Sequence, residues 1–244
     1  MWIKICGVTR VEDAVTVVHS GADAIGLNFF PGSKRFVSIP TARALADAAR
    51  RSAVDLPLVD LVGVFVNADA DAIRTAIQQV GLSVIQVHGD ETTEQVAAIH
   101  RHCPGIPLIR ALRVDPRDIE RTLHEIDRLS AVVPLAAILL DAFVPGEFGG
   151  TGATIDLSIL ERCSSQQTPP LILAGGLTPQ NVASVARRST VWGIDTASGV
   201  ESSPGIKDSA RVYEFVNAAR AAASDSGGLV HNVRMGKPLL LTQE

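Results

Sequence analysis

Short apolar runs alternate with longer amphipathic stretches along almost the whole chain. The runs fall at residues 2–6, 24–29, 61–66, 84–87, 108–112, 137–140, 171–173 and 192–195. Each is short and nearly continuous in its apolar character, the pattern of a strand covered on both faces. Between them, stretches such as 41–52, 70–79, 93–101, 116–129, 179–186 and 209–223 repeat with helical period. Asp115 before Pro116 and Thr178 before Pro179 are helix-start signals, because proline in the first helical turn gives up an N–H that has no partner there anyway. The interval from Thr154 to Ser164 carries the weakest helical pattern.

Strands alternating with helices imply parallel pairing through right-handed crossovers. An open doubly wound sheet would satisfy that alternation too, but eight strand–helix pairs favour closure into a single-domain (β/α)8 barrel. Ser224-Asp225-Ser226-Gly227-Gly228 reads as a boundary. The expected organisation is a barrel over residues 1–223 and an extension over 224–244, flexible or docked on the surface.

Composition narrows the class. The chain has 244 residues, 46% hydrophobic but only 4% aromatic, so the core must be largely aliphatic. A net charge of −4 argues against a general nucleic-acid surface, and no apolar stretch reaches membrane-spanning length. Met1-Trp2-Ile3-Lys4-Ile5-Cys6 runs straight into a strand without a secretory pattern. Cys6, Cys103 and Cys163 are odd in number and lack C-x-x-C spacing. Reduced thiols in the cytoplasm are therefore expected, rather than a disulfide framework or a zinc site.

A barrel of this type builds its site at the C-terminal ends of its strands. That rule selects Cys6, Asn28 with Lys34 and Arg35 in its loop, Asn67, His88, Arg110 or Arg113, and Asp141. The last two units supply the glycine turns Ala174-Gly175-Gly176-Leu177 and Ala197-Ser198-Gly199-Val200. Glycine lets backbone N–H groups crowd an anion, so two such turns in succession suggest a phosphate grip. Cys6 is either a small buried hydrophobe or a proton acceptor. With an ordinary thiol pKa of about 8.5, only about 3% is thiolate at pH 7 unless a cation or dipole helps. Asp141 is either a turn cap or an acid delivered to the mouth by the run Ala137-Ile138-Leu139-Leu140. His88 has no second ligand at metal spacing, so a hydrogen bond to substrate or protein suits it better. Arg35 has no acidic partner within its own loop; it is an exposed arginine or a fork for a carboxylate or phosphate. The loop Gly146-Glu147-Phe148-Gly149-Gly150-Thr151-Gly152 could line the mouth, and it matches neither the P-loop nor the dinucleotide fingerprint. An acid and a base on opposite sides of a barrel, with a phosphate grip, suit proton transfer on a phosphosugar.

The ordered set Lys4-Ile5-Cys6-Gly7-Val8-Thr9, Ser33-Lys34-Arg35-Phe36-Val37-Ser38, Val62-Gly63-Val64-Phe65-Val66-Asn67, Gln86-Val87-His88-Gly89, Gly149-Gly150-Thr151-Gly152, Ala174-Gly175-Gly176-Leu177 and Ser198-Gly199-Val200-Glu201 resembles the phosphoribosylanthranilate isomerase family of tryptophan biosynthesis. The resemblance spans about residues 2–220. It implies an Amadori rearrangement of N-(5-phosphoribosyl)anthranilate with no metal or organic cofactor, in a monomer or homodimer that binds a small phosphosugar. By position it makes Asp141 the general acid, Cys6 the general base and Arg35 the holder of the anthranilate carboxylate. Gly175, Gly176, Ser198 and Gly199 would hold the phosphate. Where the family often has lysine followed by phenylalanine, aspartate and tryptophan, this chain has Ala153-Thr154-Ile155-Asp156-Leu157. Thr196-Ala197 also departs from the common valine and serine. Histidine-pathway isomerases usually carry aspartate where Cys6 stands, and indole-glycerol-phosphate synthase would be expected to show catalytic lysines at strand ends. A barrel kept as a non-enzymatic scaffold would not need Cys6, Asp141 and the phosphate turns together.

Overall fold

The computed structural model describes residues 1–142, 160, 162, 168–188, 190–225 and 235. Eight parallel strands close into a barrel in sequence order. They are β1 (Trp2–Cys6), β2 (Ala24–Asn28), β3 (Asp60–Phe65), β4 (Val84–Val87), β5 (Leu108–Val114), β6 (Ala137–Ala142), β7 (Leu171–Leu173) and β8 (Gly193–Thr196). Closure is made by β1 against β8, with Trp2 opposite Gly193 and Lys4 opposite Asp195. The helices are α1 (Val11–His19), α2 (Ile39–Ser52), α3 (Ala70–Ala76), α4 (Thr93–His102), α5 (Ile119–Ser130), α6 (Val182–Ala186) and α7 (Ser209–Asp225). After β8 a short 3-10 turn (Ser198–Val200) leads into a small antiparallel pair, β9 (Glu201–Ser203) and β10 (Ile206–Lys207).

The strands alternate between two cores. Trp2, Ala24, Val62, Val84, Ile109, Ala111, Ala137, Leu139, Ile172 and Ala174 pack together inside the barrel. The intervening residues, such as Ile3, Ile5, Ile25, Leu27 and Ile85, meet the helices in a larger aliphatic layer. The period of two along β1 therefore sends Trp2, Lys4 and Cys6 inward, one above another.

The barrel expectation holds, with local adjustments. The first crossover contains α1, a helix the sequence pattern left unmarked, and α3 passes into a π turn over Ile77–Gly81. α6 is shorter than the 179–186 stretch, because Thr178 and Asn181 first form a bonded turn. Of the weak sixth helix to Ser164, Leu160 and Arg162 are described and helical, while the loop 146–152, the departure over 153–157 and Cys163 lie outside the described residues. So does most of the C-terminal extension, although α7 carries two residues past the expected boundary, and Met235 is described. Met235 donates its N–H to Asp60 Oδ2 at 3.3 Å and packs at the N-terminal end of the barrel, with Trp2 and Trp192. Among the described residues, no helix is long and apolar enough to cross a membrane.

Candidate active site

At the C-terminal mouth one pocket brings together Cys6, Asn28, Arg35, His88, Asp141, Gly175, Gly176, Asp195 and Ser198, among others. These come from six of the eight strand–loop units. Sequence order alone scatters them over nearly 200 residues, and barrel closure gathers them.

Cys6 is the last inward residue of β1. Its neighbour Gly7 turns the chain with φ 71°, and the N–H groups of Gly7 and Val8 both donate to Gly26 O, at 2.9 and 3.1 Å. Gly26 has to be glycine, because a Cβ there would lie 2.8 Å from Cys6 Sγ and 3.1 Å from Lys4 Cε. Thiol and lysine stem thus share the space over Gly26. Lys4 is wholly buried, and its Nζ lies 2.8 Å from Asp195 Oδ2. Burial pushes the Cys6 thiol above its ordinary pKa; the Lys4 charge opposes this and Asp195 adds to it. For Lys4, burial works against the charge, but Asp195 and Cys6 outweigh it and keep the ammonium protonated above its usual range.

Asp141 ends the inward row of β6 and is 4% exposed. His88, just past β4, is held by its N–H to Phe65 O at 2.8 Å. Its Nε2 lies 3.4 Å from Asp141 Oδ2, and its Nδ1 lies 3.4 Å from Gln86 Nε2. The imidazole thus stands beside the carboxylate, with its Nε2 making no hydrogen bond among the described residues.

The loop carrying Arg35 is shaped by Asn28, whose Oδ1 accepts from Phe30 N at 2.9 Å and whose Nδ2 donates to Ser33 Oγ at 3.2 Å. Arg35 is not an unattached surface fork. Its Nε and Nη2 donate to the two Glu201 oxygens at 2.8 and 2.7 Å, the bidentate geometry that suits guanidinium and carboxylate. Lys207 Nζ donates to Glu201 Oε1 at 2.8 Å and to Ala197 O at 3.0 Å. Burial alone would raise the Glu201 carboxyl, but hydrogen bonds and charge from Arg35 and Lys207 hold it below the usual carboxylate range. Burial lowers Lys207 despite Glu201. Glu201, Lys207, Lys4 and Asp195 did not emerge from the sequence as site residues. Lys4 and Asp195 pair across almost the whole chain, as Glu201 does with Arg35, and for Lys4 and Asp195 the one signal was a charged residue in an otherwise apolar run.

The two glycine turns meet as expected. Gly175 and Gly176 have φ of 89° and 60°, a left-handed pair that presents successive N–H groups on one side. Asn181 braces this turn, donating Nδ2 to Gly176 O at 2.9 Å and accepting from Thr178 N at 2.8 Å. Thr196 Oγ1 donates to Leu177 O at 2.7 Å and ties the β8 turn to the β7 turn, which gives the departure at 196 a structural use. Ser198 lines the pocket, whereas Gly199 lies in the wall behind it, where a Cβ would collide with Leu177 O. The N–H groups of Ser198 and Gly199 open the 3-10 turn and, like the first donors of any helix, have no partner within it.

Three of the residues expected at the mouth serve other purposes. Arg110 faces outward, ion-paired with Glu91 and Glu125, because residues 109 and 111 take the inward positions on β5. Arg113 pairs with Asp90. Asn67, with φ 51°, ties the β3 and β4 loops by accepting from Asp90 N at 2.9 Å and donating its own N–H to Glu91 at 2.8 Å. Lys34 is exposed. Among the described residues, no group of three His, Cys, Asp or Glu side chains could hold a metal ion.

A closed parallel barrel with titratable side chains and glycine turns gathered at its C-terminal mouth has the form of a (β/α)8-barrel enzyme. The model of the N-(5'-phosphoribosyl)anthranilate isomerase family matches residues 3–218, and the chain belongs to that family. It is 43% identical to the N-(5'-phosphoribosyl)anthranilate isomerase of Myxococcus xanthus over 90% of this chain and 96% of that one. Against the Ralstonia nicotianae isomerase it is also 43% identical, over 93% and 96%. The solved Thermotoga maritima phosphoribosyl anthranilate isomerase superimposes with TM-score 0.73 at 36% identity, covering 91% of this chain and 99% of that one. A phosphoribosyl anthranilate isomerase in complex with reduced 1-(o-carboxyphenylamino)-1-deoxyribulose 5-phosphate gives TM-score 0.70 at 35% identity, with the same coverage. The protein is thus an isomerase of tryptophan biosynthesis.

Proposed function

We propose that this site rearranges N-(5'-phosphoribosyl)anthranilate with Asp141 as general acid and Cys6 as general base. The observation that carries the assignment is their convergence on one pocket from β6 and β1, beside the turns at Gly175-Gly176 and Ser198-Gly199. The substrate phosphate sits against the backbone N–H groups of those turns. Arg35, held rigid by Glu201, faces the anthranilate carboxylate. Asp141 gives its proton to the furanose ring oxygen as the C1–O bond breaks, and the anthranilate nitrogen lone pair closes a C=N bond. The Cys6 thiolate then removes the C2 proton. The C2–H electrons form C1=C2 and neutralise the nitrogen, giving an enolamine that tautomerises to the ketose. No step calls for a cofactor. The protein works in the cytoplasm as a monomer or homodimer, a state that size-exclusion chromatography with light scattering reads directly.

The test is conversion of freshly generated phosphoribosylanthranilate, followed by loss of its fluorescence. Removing a general acid or base costs about 10²–10⁴ in rate, so Cys6→Ser and Asp141→Asn should each lose kcat in that range. Near wild-type turnover by either variant overturns that residue's role. No rate above background from the folded wild-type protein overturns the reading as a whole.

A further inference from the structure

Lys4 takes no part in the chemistry just described, yet it is a charged residue wholly removed from solvent, one inward step below Cys6 on β1. A buried ammonium is costly unless a negative group beside it compensates. Asp195 lies 2.8 Å from it, but its other carboxylate oxygen, Oδ1, has no hydrogen-bond partner among the described residues. On the other side, Lys4 shares the space over Gly26 with the Cys6 sulfur.

We propose that Lys4 is a positioning residue for the base, the fixed cation that offsets the burial of Cys6 and favours its thiolate over its thiol. The proposal rests on Cys6 being the base. The other charged groups around the thiol are less suited to that task. Lys207, from β10, has its ammonium committed to Glu201 and Ala197 O, and Arg35, from the loop after β2, is committed to Glu201 as well. Asp195, from β8, repels a thiolate. His88 and Asp141 stand with Cys6 around the pocket and pair with each other at 3.4 Å. Lys4 alone combines full burial, an assured positive charge and a place against the sulfur. Asp195 is what keeps it charged.

The experiment is the pH dependence of alkylation by iodoacetamide, without substrate, in a Cys103→Ser/Cys163→Ser background where Cys6 is the remaining thiol. Lys4→Met should move the titration midpoint upward by about one pH unit or more, so that alkylation at pH 7 slows about tenfold. The ascending limb of the kcat/KM profile should move with it. Lys4→Arg should restore part of the shift, and Lys207→Met should produce a smaller one. Lys4→Gln removes the charge while keeping a donor for Asp195, and it carries the test if Lys4→Met does not fold. An unmoved midpoint in folded Lys4→Gln or Lys4→Met overturns the proposal, as does a larger shift from Lys207→Met. Because alkylation needs no turnover, failure of the base assignment shows separately, as normal activity in Cys6→Ser.

Discussion

Glu201 decides how two cations are used at this site. It holds the Arg35 fork with both oxygens and receives Lys207 as well, and all three side chains are largely removed from solvent. Taking away one member of a buried charge cluster leaves the rest uncompensated, so Glu201→Gln should destabilise the fold by about 3 kcal/mol, read by urea denaturation. KM should rise more than kcat falls, because the change misplaces Arg35 without touching the proton-transfer pair. The pH dependence has a definite sign. The folded carboxyl is held below its unfolded value, so its contribution is complete above the unfolded pKa and disappears as pH falls through the folded one. Melting temperature should therefore fall more steeply on acidification in the wild type than in Glu201→Gln. Cys6 and Asp141 were legible in the sequence because each ends an apolar run that barrel geometry aims at the mouth. Glu201 was not, since its arginine partner lies 166 positions away. The same distance problem hid Lys4 and Asp195.

At the scale of elements, the strands were readable almost to the residue, because burial on both faces makes them continuous apolar runs. Helices are less so: the pattern does not mark α1, and it overextends α6 where the Thr178–Asn181 turn intervenes. The glycine turns were recognised, but the sequence could not separate their duties. Gly175 and Gly176 need positive φ, whereas Gly199 needs space, since any Cβ would run into Leu177 O. Gly199→Ala should therefore push the two turns apart. The expected outcome is weaker competition by inorganic phosphate, a higher KM and a lower Tm, with little change in the reactivity of the Cys6 thiol. Thr196→Val removes the hydroxyl that ties the same turns. It should act in the same direction by about 1 kcal/mol, the net worth of one buried hydrogen bond.

Across the whole molecule, the two ends of the barrel do different work. The C-terminal mouth gathers the chemistry. At the opposite end Trp2 and Trp192 stack with centroids 5.6 Å apart, and Met235 packs beside them. These are the chain's only two tryptophans. Deleting residues 226–244 should shift tryptophan emission to longer wavelength while leaving kcat unchanged. The contact of Met235 with Asp60 was not legible, because nothing near Met235 in sequence points to Asp60. The central claim concerns the other end: a proton enters the ring oxygen from Asp141 and leaves C2 to Cys6. Substrate deuterated at the ribose C2, followed in single turnovers with excess enzyme, separates the two steps most directly. The account predicts a primary isotope effect in Cys6→Ser, where C–H cleavage limits, and none in Asp141→Asn, where ring opening limits. An isotope effect in Asp141→Asn with none in Cys6→Ser would contradict it.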